Sequence, residues 1–264
     1  MSKKLQLLLG SVLAVALAIY VYPTQKGQHY RIFNLMEQRP ETLSAKPKQN
    51  YSFFYLVQQW PKTYCFNNTD CPDNIPNYFT IHGLWPQPKN AREGFLIYCC
   101  KTYWHSDCEF KPIQSSFVGQ AFLCKLEKAW PSLNKSQNNE SFWRYQWNKH
   151  GTCSLPNVSQ DLYFRRAVSL YNQYNLSKII LRPQVIRTCL EFQTITILMQ
   201  SPKITKDIKN ATRVKALITC GGSKNIPDDY LHEITLCVNG DAKKFRKCPA
   251  RRDKCKFDHV IIPR

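Results

Sequence analysis

The hydrophobic pattern divides the chain into three stretches. Leu5 to Tyr22 is apolar except for Gln6, Gly10 and Ser11 and follows Lys3 and Lys4. That is the pattern of a secretory signal peptide over 1–22, with a small-residue cleavage site at Ala16-Leu17-Ala18. Left uncleaved, the run is near the shortest that spans a bilayer and would act as an anchor. Residues 23–50 are polar and aperiodic, punctuated by Arg39-Pro40 and Lys46-Pro47-Lys48, and read as a flexible pro-segment or linker. Residues 51–264 contain no internal repeat and suffice for one domain with its own core.

Within that domain the hydrophobic period switches between two and 3.6. Tyr51 to Val57, ahead of Trp60-Pro61, predicts a buried strand, and Tyr78 to Leu84 predicts a second one stopped by Trp85-Pro86. Alternation in the second strand puts Phe79 and Ile81 on one face and Tyr78, Thr80 and His82 on the other. Helical spacing runs through Phe117 to Ala129, Glu140 to His150, and from the cap Ser159 through Leu162, Tyr163, Ala167, Leu170 and Tyr171. In the middle helix Phe142, Gln146 and His150 share a stripe, with Trp143 and Trp147 on the neighbouring one and Gly151 as the stop. Ala216 to Thr219, Ile234 to Val238 and Val260 to Ile262 predict further strands. This mixture implies a single α+β domain, an antiparallel sheet packed with several helices.

Composition adds a setting. Twelve cysteines behind an export pattern argue for disulfides made in an oxidising compartment. Six sequons, at Asn67, Asn134, Asn139, Asn157, Asn175 and Asn210, offer glycosylation sites on a secreted, extracellular protein. Net charge is +19, and residues 49–264 still hold +14, with Lys243, Lys244, Arg246, Lys247, Arg251, Arg252, Lys254 and Lys256 crowded together. A basic folded part draws polyanions toward it.

His82 and His150, each in an aromatic, turn-bounded frame, are the candidates for chemistry, because imidazole can both take and deliver a proton near neutrality. With Lys149 they supply what phosphodiester cleavage needs: a base, an acid and a cation for charge growing on phosphorus. RNA brings its own nucleophile, the 2'-hydroxyl, so the chemistry requires no metal and no cofactor. Cys99, Cys100, His105 and Cys108 have a zinc-like spacing, but an exported chain oxidises such thiols. His105 is then an auxiliary substrate-site histidine, while His232 and His259 lie near strands and read as structural.

Phe79 to Gln87 (FTIHGLWPQ) and Phe142 to Cys153 (FWRYQWNKHGTC) resemble the two active-site segments of the ribonuclease T2 family. The resemblance extends through Tyr55 to Pro61 (YLVQQWP) and the C-terminal cysteine pattern. It implies a disulfide-stapled ribonuclease T2-like fold and an endoribonuclease that cuts single-stranded RNA through a 2',3'-cyclic phosphate. His150 would be the general base on the 2'-hydroxyl, His82 the general acid on the departing 5'-oxygen, and Lys149 the stabiliser of the phosphorane. Trp85 would shape a base site, with Phe142 near a second base. Many members carry His-Glu where this chain has Tyr145-Gln146. Tyr145 then takes a substrate-binding position without an imidazole, and Gln146 joins the catalytic set able to hydrogen-bond but not to exchange a proton.

Cys65 and Cys71 are spaced to close a small loop, and Cys153 pairs with Cys100 or with Cys99. The resemblance implies a nested C-terminal pair, Cys237–Cys248 inside Cys220–Cys255. Cys108, Cys124, Cys189 and the remaining member of Cys99/Cys100 stay unassigned. Within the family the chain resembles plant style self-incompatibility ribonucleases, a role that would add a pollen recognition protein as partner to a monomer with no stable membrane partner. A secreted or vacuolar ribonuclease for phosphate scavenging or defence is the alternative. A catalytically weak recognition protein on the same scaffold is the reading from another class.

Overall fold

Four antiparallel strands, β1 (Tyr51–Gln59), β2 (Thr80–Pro88), β4 (Leu217–Cys220) and β5 (Leu231–Asn239), build a sheet in the order β2-β1-β5-β4. A two-stranded sheet pairs β3 (Thr196–Gln200) with β6 (His259–Pro263). A computed structural model describes residues 51–89, 96–102, 106–113, 119–181, 196–221, 226–249 and 255–264. The expected signal peptide (1–22), the pro-segment (23–50), His105 and Cys189 lie outside them.

The helices are α1 (Pro61–Tyr64), α2 (Cys99–Thr102), α3 (Gln120–Ala129), α4 (Asn139–Lys149), α5 (Gln160–Gln173), α6 (Leu176–Ile180) and α7 (Ser201–Thr212). One face of the sheet meets α3, α4 and α5. There Phe54 and Leu56 of β1 and Ile81 and Leu84 of β2 pack with Leu126, Trp130, Trp143, Trp147, Tyr163 and Phe164. A second core gathers Ile204 and Ile208 of α7 with the small sheet, Ile234, Leu236, Trp60 and Phe79. Trp60, Trp130, Trp143 and Trp147 are almost wholly enclosed. Each takes roughly 200 Å² from water, on the order of 5 kcal/mol as an upper figure. The single α+β domain agrees with the sequence reading; β3, α6 and α7 were not read from the periodicity.

One local expectation changes. Strand β2 begins at Thr80 and runs through Trp85-Pro86 to Pro88 rather than stopping there. It is an edge strand, so an imide nitrogen directed outward breaks no ladder. The expected alternation holds at Ile81, on the helix side, and at His82, on the opposite face, and breaks just beyond them. Val57 pairs with Gly83 and Gln58 with Ile81, which leaves His82 as the extra residue of a β-bulge. The bulge shifts the parity beyond it: Ile81 and Leu84, three apart, both enter the helix-side core. Phe79, just before the strand, packs in the second core beside Ile234 and Leu236.

Among the described residues the disulfides are Cys65–Cys71, Cys99–Cys153, Cys100–Cys108, Cys220–Cys255 and Cys237–Cys248. Cys153 therefore takes Cys99, not Cys100, because Cys100 is held by Cys108 on the adjoining 3-10 turn. Cys124 stands exposed on α3, bridged to no other cysteine among the described residues. The three cysteines of the zinc-like cluster are consumed by bridges, which removes the thiolates a metal would need.

Candidate active site

Edge strand β2 carries His82, and its outward carbonyls are held by aromatic donors from the helix layer. Tyr171 Oη donates to the Phe79 carbonyl at 2.7 Å, Trp130 Nε1 to that of His82 at 3.1 Å, and Tyr163 Oη to that of Leu84 at 2.7 Å. Trp143 Nε1 in turn donates to the Trp130 carbonyl at 2.8 Å. An edge strand exposes unpaired backbone groups. Here they are satisfied by rigid rings, which clamps the bulge and aims His82 at the sheet face opposite the helices. On that face lie Phe53, Tyr55, Val57, Cys237 and the partly buried Trp85. Nδ1 of His82 meets Oε1 of Glu233, two strands away on β5, at 2.6 Å.

His150 arrives from the other side of the same edge. Asn138 caps α4 by accepting from the Ser141 N–H at 2.8 Å, and Trp143 and Trp147 bury the helix against the core. The helix ends at Lys149 with His150 as its C-cap, one residue earlier than the periodicity implies. Gly151 then opens a 3-10 turn; a Cβ there would strike the Trp147 ring, so close approach demands glycine. The Tyr98 N–H donates to the Lys149 carbonyl at 2.7 Å, and Cys99–Cys153 ties the segment after the helix.

Trp85 joins the two histidines. Its ring centroid is 5.0 Å from that of His82, edge to face, and 5.2 Å from that of His150. Its Nε1–H donates to Gln146 Oε1 at 3.3 Å. Gln146 and His150 are both buried on the expected stripe, whereas Phe142 packs toward the helix-side core and makes no ring contact with this cluster. Exposed Tyr145 accepts at its phenol oxygen from Lys149 Nζ at 2.7 Å, with the ammonium 5.1 Å from its ring centroid.

Burial, assisted by the Lys149 and His82 charges, lowers the pKa of His150 to about 3, and the Leu96 backbone opposes this only weakly. His150 is therefore neutral at neutral pH, with a lone pair ready to accept a proton. One residue of the basic segment borders the same face: Arg246 lies 5.2 Å over the Phe53 ring, in the loop closed by Cys237–Cys248.

Of the residues expected from sequence, His82, Trp85, Gln146, Lys149 and His150 gather at one place and Tyr145 reaches it through Lys149. Glu233 and Trp130 were missed. Glu233 precedes the predicted strand core, and a lone acid at a strand end carries no chemical pattern. Among the described residues no group of three or more His, Cys, Asp or Glu is placed to hold a metal ion.

The Ribonuclease T2 family model matches residues 51–248. Ribonuclease 1 of Arabidopsis thaliana is 32% identical over 83% of this chain and 89% of its own length. Ribonuclease S-F11 of Nicotiana alata is 31% identical over 78% of this chain and 95% of its own. Among solved structures, ribonuclease MC1 from bitter gourd seeds superposes with a TM-score of 0.61 at 25% identity, over 80% of this chain and 99% of that one. RNase NT, solved in complex with 5'-AMP, gives 0.59 at 26% identity, over 81% of this chain and all of that one.

Proposed function

This chain belongs to the ribonuclease T2 family and is an RNA-cleaving enzyme, and from that premise we propose that it cuts single-stranded RNA by transphosphorylation between His150 and His82. The observation that carries the reading is the indole of Trp85 touching both imidazoles. His150, neutral by burial, takes the proton of the 2'-hydroxyl; the 2'-oxygen attacks phosphorus. His82 delivers a proton to the leaving 5'-oxygen as the P–O5' bond breaks, leaving a 2',3'-cyclic phosphate. Lys149, steadied by Tyr145, offsets the charge that builds on the phosphorane. Trp85 offers a face for a base, and Gln146 fixes that indole rather than moving protons.

The export pattern, sequons and disulfides support secretion, with 51–264 as the catalytic domain. For biological setting, the +19 charge and the likeness to Ribonuclease S-F11 support a style self-incompatibility role, with a pollen protein as a second partner. The equal likeness to Ribonuclease 1 favours the second reading, a general secreted or vacuolar ribonuclease. Pistil-restricted expression with allelic diversity supports the first; expression in many tissues, induced by phosphate starvation, supports the second.

The deciding experiment incubates the full-length secreted protein with homopolymer RNA in EDTA and follows the products. Cyclic phosphate ends that vanish in His82→Asn and His150→Asn are expected. An undiminished rate in either variant overturns the mechanism, and a wild-type protein inactive on RNA supports the recognition-protein reading instead.

A further inference from the structure

We infer that Glu233 is the positioning residue for His82, holding the imidazole by its Nδ1 so that Nε2 is the nitrogen that protonates the departing 5'-oxygen. The inference rests on the proposed role of His82 as general acid. Its basis is a contact that neither motif contains: His82 Nδ1 to Glu233 Oε1 at 2.6 Å, made across the width of β1.

The fold goes to some length to make that contact. Neighbouring strands run roughly 5 Å apart, so β2 and β5 are separated by roughly 10 Å of sheet. Glu233 opposes Gln59 in the ladder and shares the parity of Thr235 and Cys237, which places it on the sheet face that carries Trp85. Two bulges meet at this end of the sheet. One makes His82 the extra residue of β2, and the other falls between the Thr219 and Cys220 pairings, where His232 is the extra residue of β5 beside Glu233. Bulges re-aim side chains. The first turns His82 toward the carboxylate, while Trp130 Nε1 on the His82 carbonyl and the Trp85 ring edge fix its backbone and ring.

A carboxylate can only accept, so the shared hydrogen is on Nδ1 and is donated to Oε1. The ring then presents Nε2 outward, and His82 is 31% exposed on its side chain against 16% for Glu233, so the free nitrogen is the one substrate reaches. An imidazole held by its second nitrogen keeps one tautomer and one orientation. Left untethered, it loses the alignment on which proton transfer to a poor leaving group depends.

Leaving-group dependence tests this. A dinucleoside phosphate departs as a 5'-alkoxide and needs an acid, whereas a nucleoside 3'-(4-nitrophenyl phosphate) departs as a stable phenolate and does not. Glu233→Ala is expected to lower kcat/KM on the dinucleoside phosphate about 10- to 100-fold and on the nitrophenyl ester by less than about threefold. Glu233→Gln, which keeps an acceptor oxygen, falls between. Equal losses on both substrates, or no loss on either, overturn the inference. His82→Asn run beside them separates the two layers: if it shows no selectivity between the substrates, the acid role of His82 fails, and if it alone is selective, only the role of Glu233 fails. Should the Glu233 variants not fold, ¹⁵N spectra of the wild-type protein decide. Neutral His82 protonated at Nδ1 is expected, and protonation at Nε2 overturns the inference.

Discussion

His82 and Trp85 stand three residues apart in one strand, yet their rings meet edge to face at 5.0 Å. An unbroken pleat sends residues three apart to opposite faces. The bulge at His82 brings them together, so a defect in the ladder is what creates the site.

Replacing His82 or His150 by Asn is expected to remove RNA cleavage to background, at least about 10²-fold for loss of an acid or base. Both variants should remain folded, because neither imidazole supplies core packing comparable to the buried tryptophans. Circular dichroism and a cleavage assay on the same preparation check this.

Stability should fall with acid. His150 has a folded pKa of about 3, below its ordinary 6.5, and His232 is also lowered, in both cases chiefly by burial. The unfolded chain thus binds protons first, so the protein is fully stable above pH 6.5 and loses stability as pH drops toward 3. At about 1.4 kcal/mol per unit the loss is on the order of a few kcal/mol. Urea unfolding at pH 7 and pH 4.5 should show the difference, and His150→Asn should show less of it.

Gln146→Glu would set a carboxylate one helical turn before His150, against the Trp85 N–H. A negative charge favours the imidazolium, opposing the burial that keeps His150 neutral. The acidic limb of the kcat/KM profile should therefore move to higher pH. A profile unchanged from wild type would show that the two side chains are not coupled.

Lys149→Gln should reduce kcat about 10²-fold with KM little changed, since in the proposed mechanism its charge offsets what develops on the phosphorane. Tyr145→Phe, which removes the acceptor of the 2.7 Å hydrogen bond but leaves the ring, should cost only a few-fold. Steady-state kinetics on one dinucleotide separates the two.

Gly83→Ala would drive a Cβ into the Trp85 indole. Displacing that ring should destabilise the fold by about 1–3 kcal/mol and break its bond to Gln146. Thermal unfolding and tryptophan fluorescence read both effects. In a double-mutant cycle, Trp85→Ala should make Gly83→Ala nearly silent.

Much of this architecture was legible along the chain. The α4 stripe placed Gln146 and His150 together because helical periodicity is local and two tryptophans mark the buried side. The strand cores read correctly for the same reason. The Trp85-Pro86 boundary misled because a proline stops an interior strand but not an edge, and edge position is a property of the assembled sheet. The choice of Cys99 over Cys100 for Cys153 turned on which of two adjacent side chains faces which turn, and no spacing encodes that.

By itself, then, the sequence determined the class of chemistry: two histidines, a lysine and aromatic frames in a basic chain are covalent facts, present before folding. Only the tertiary structure decided that Glu233 reaches His82 across β1, that Trp85 bridges the imidazoles, and that His150 is neutral. Those are consequences of burial and of contacts between residues remote in sequence. Ladder register, bulges and desolvation arise from the packed whole rather than from any segment of it.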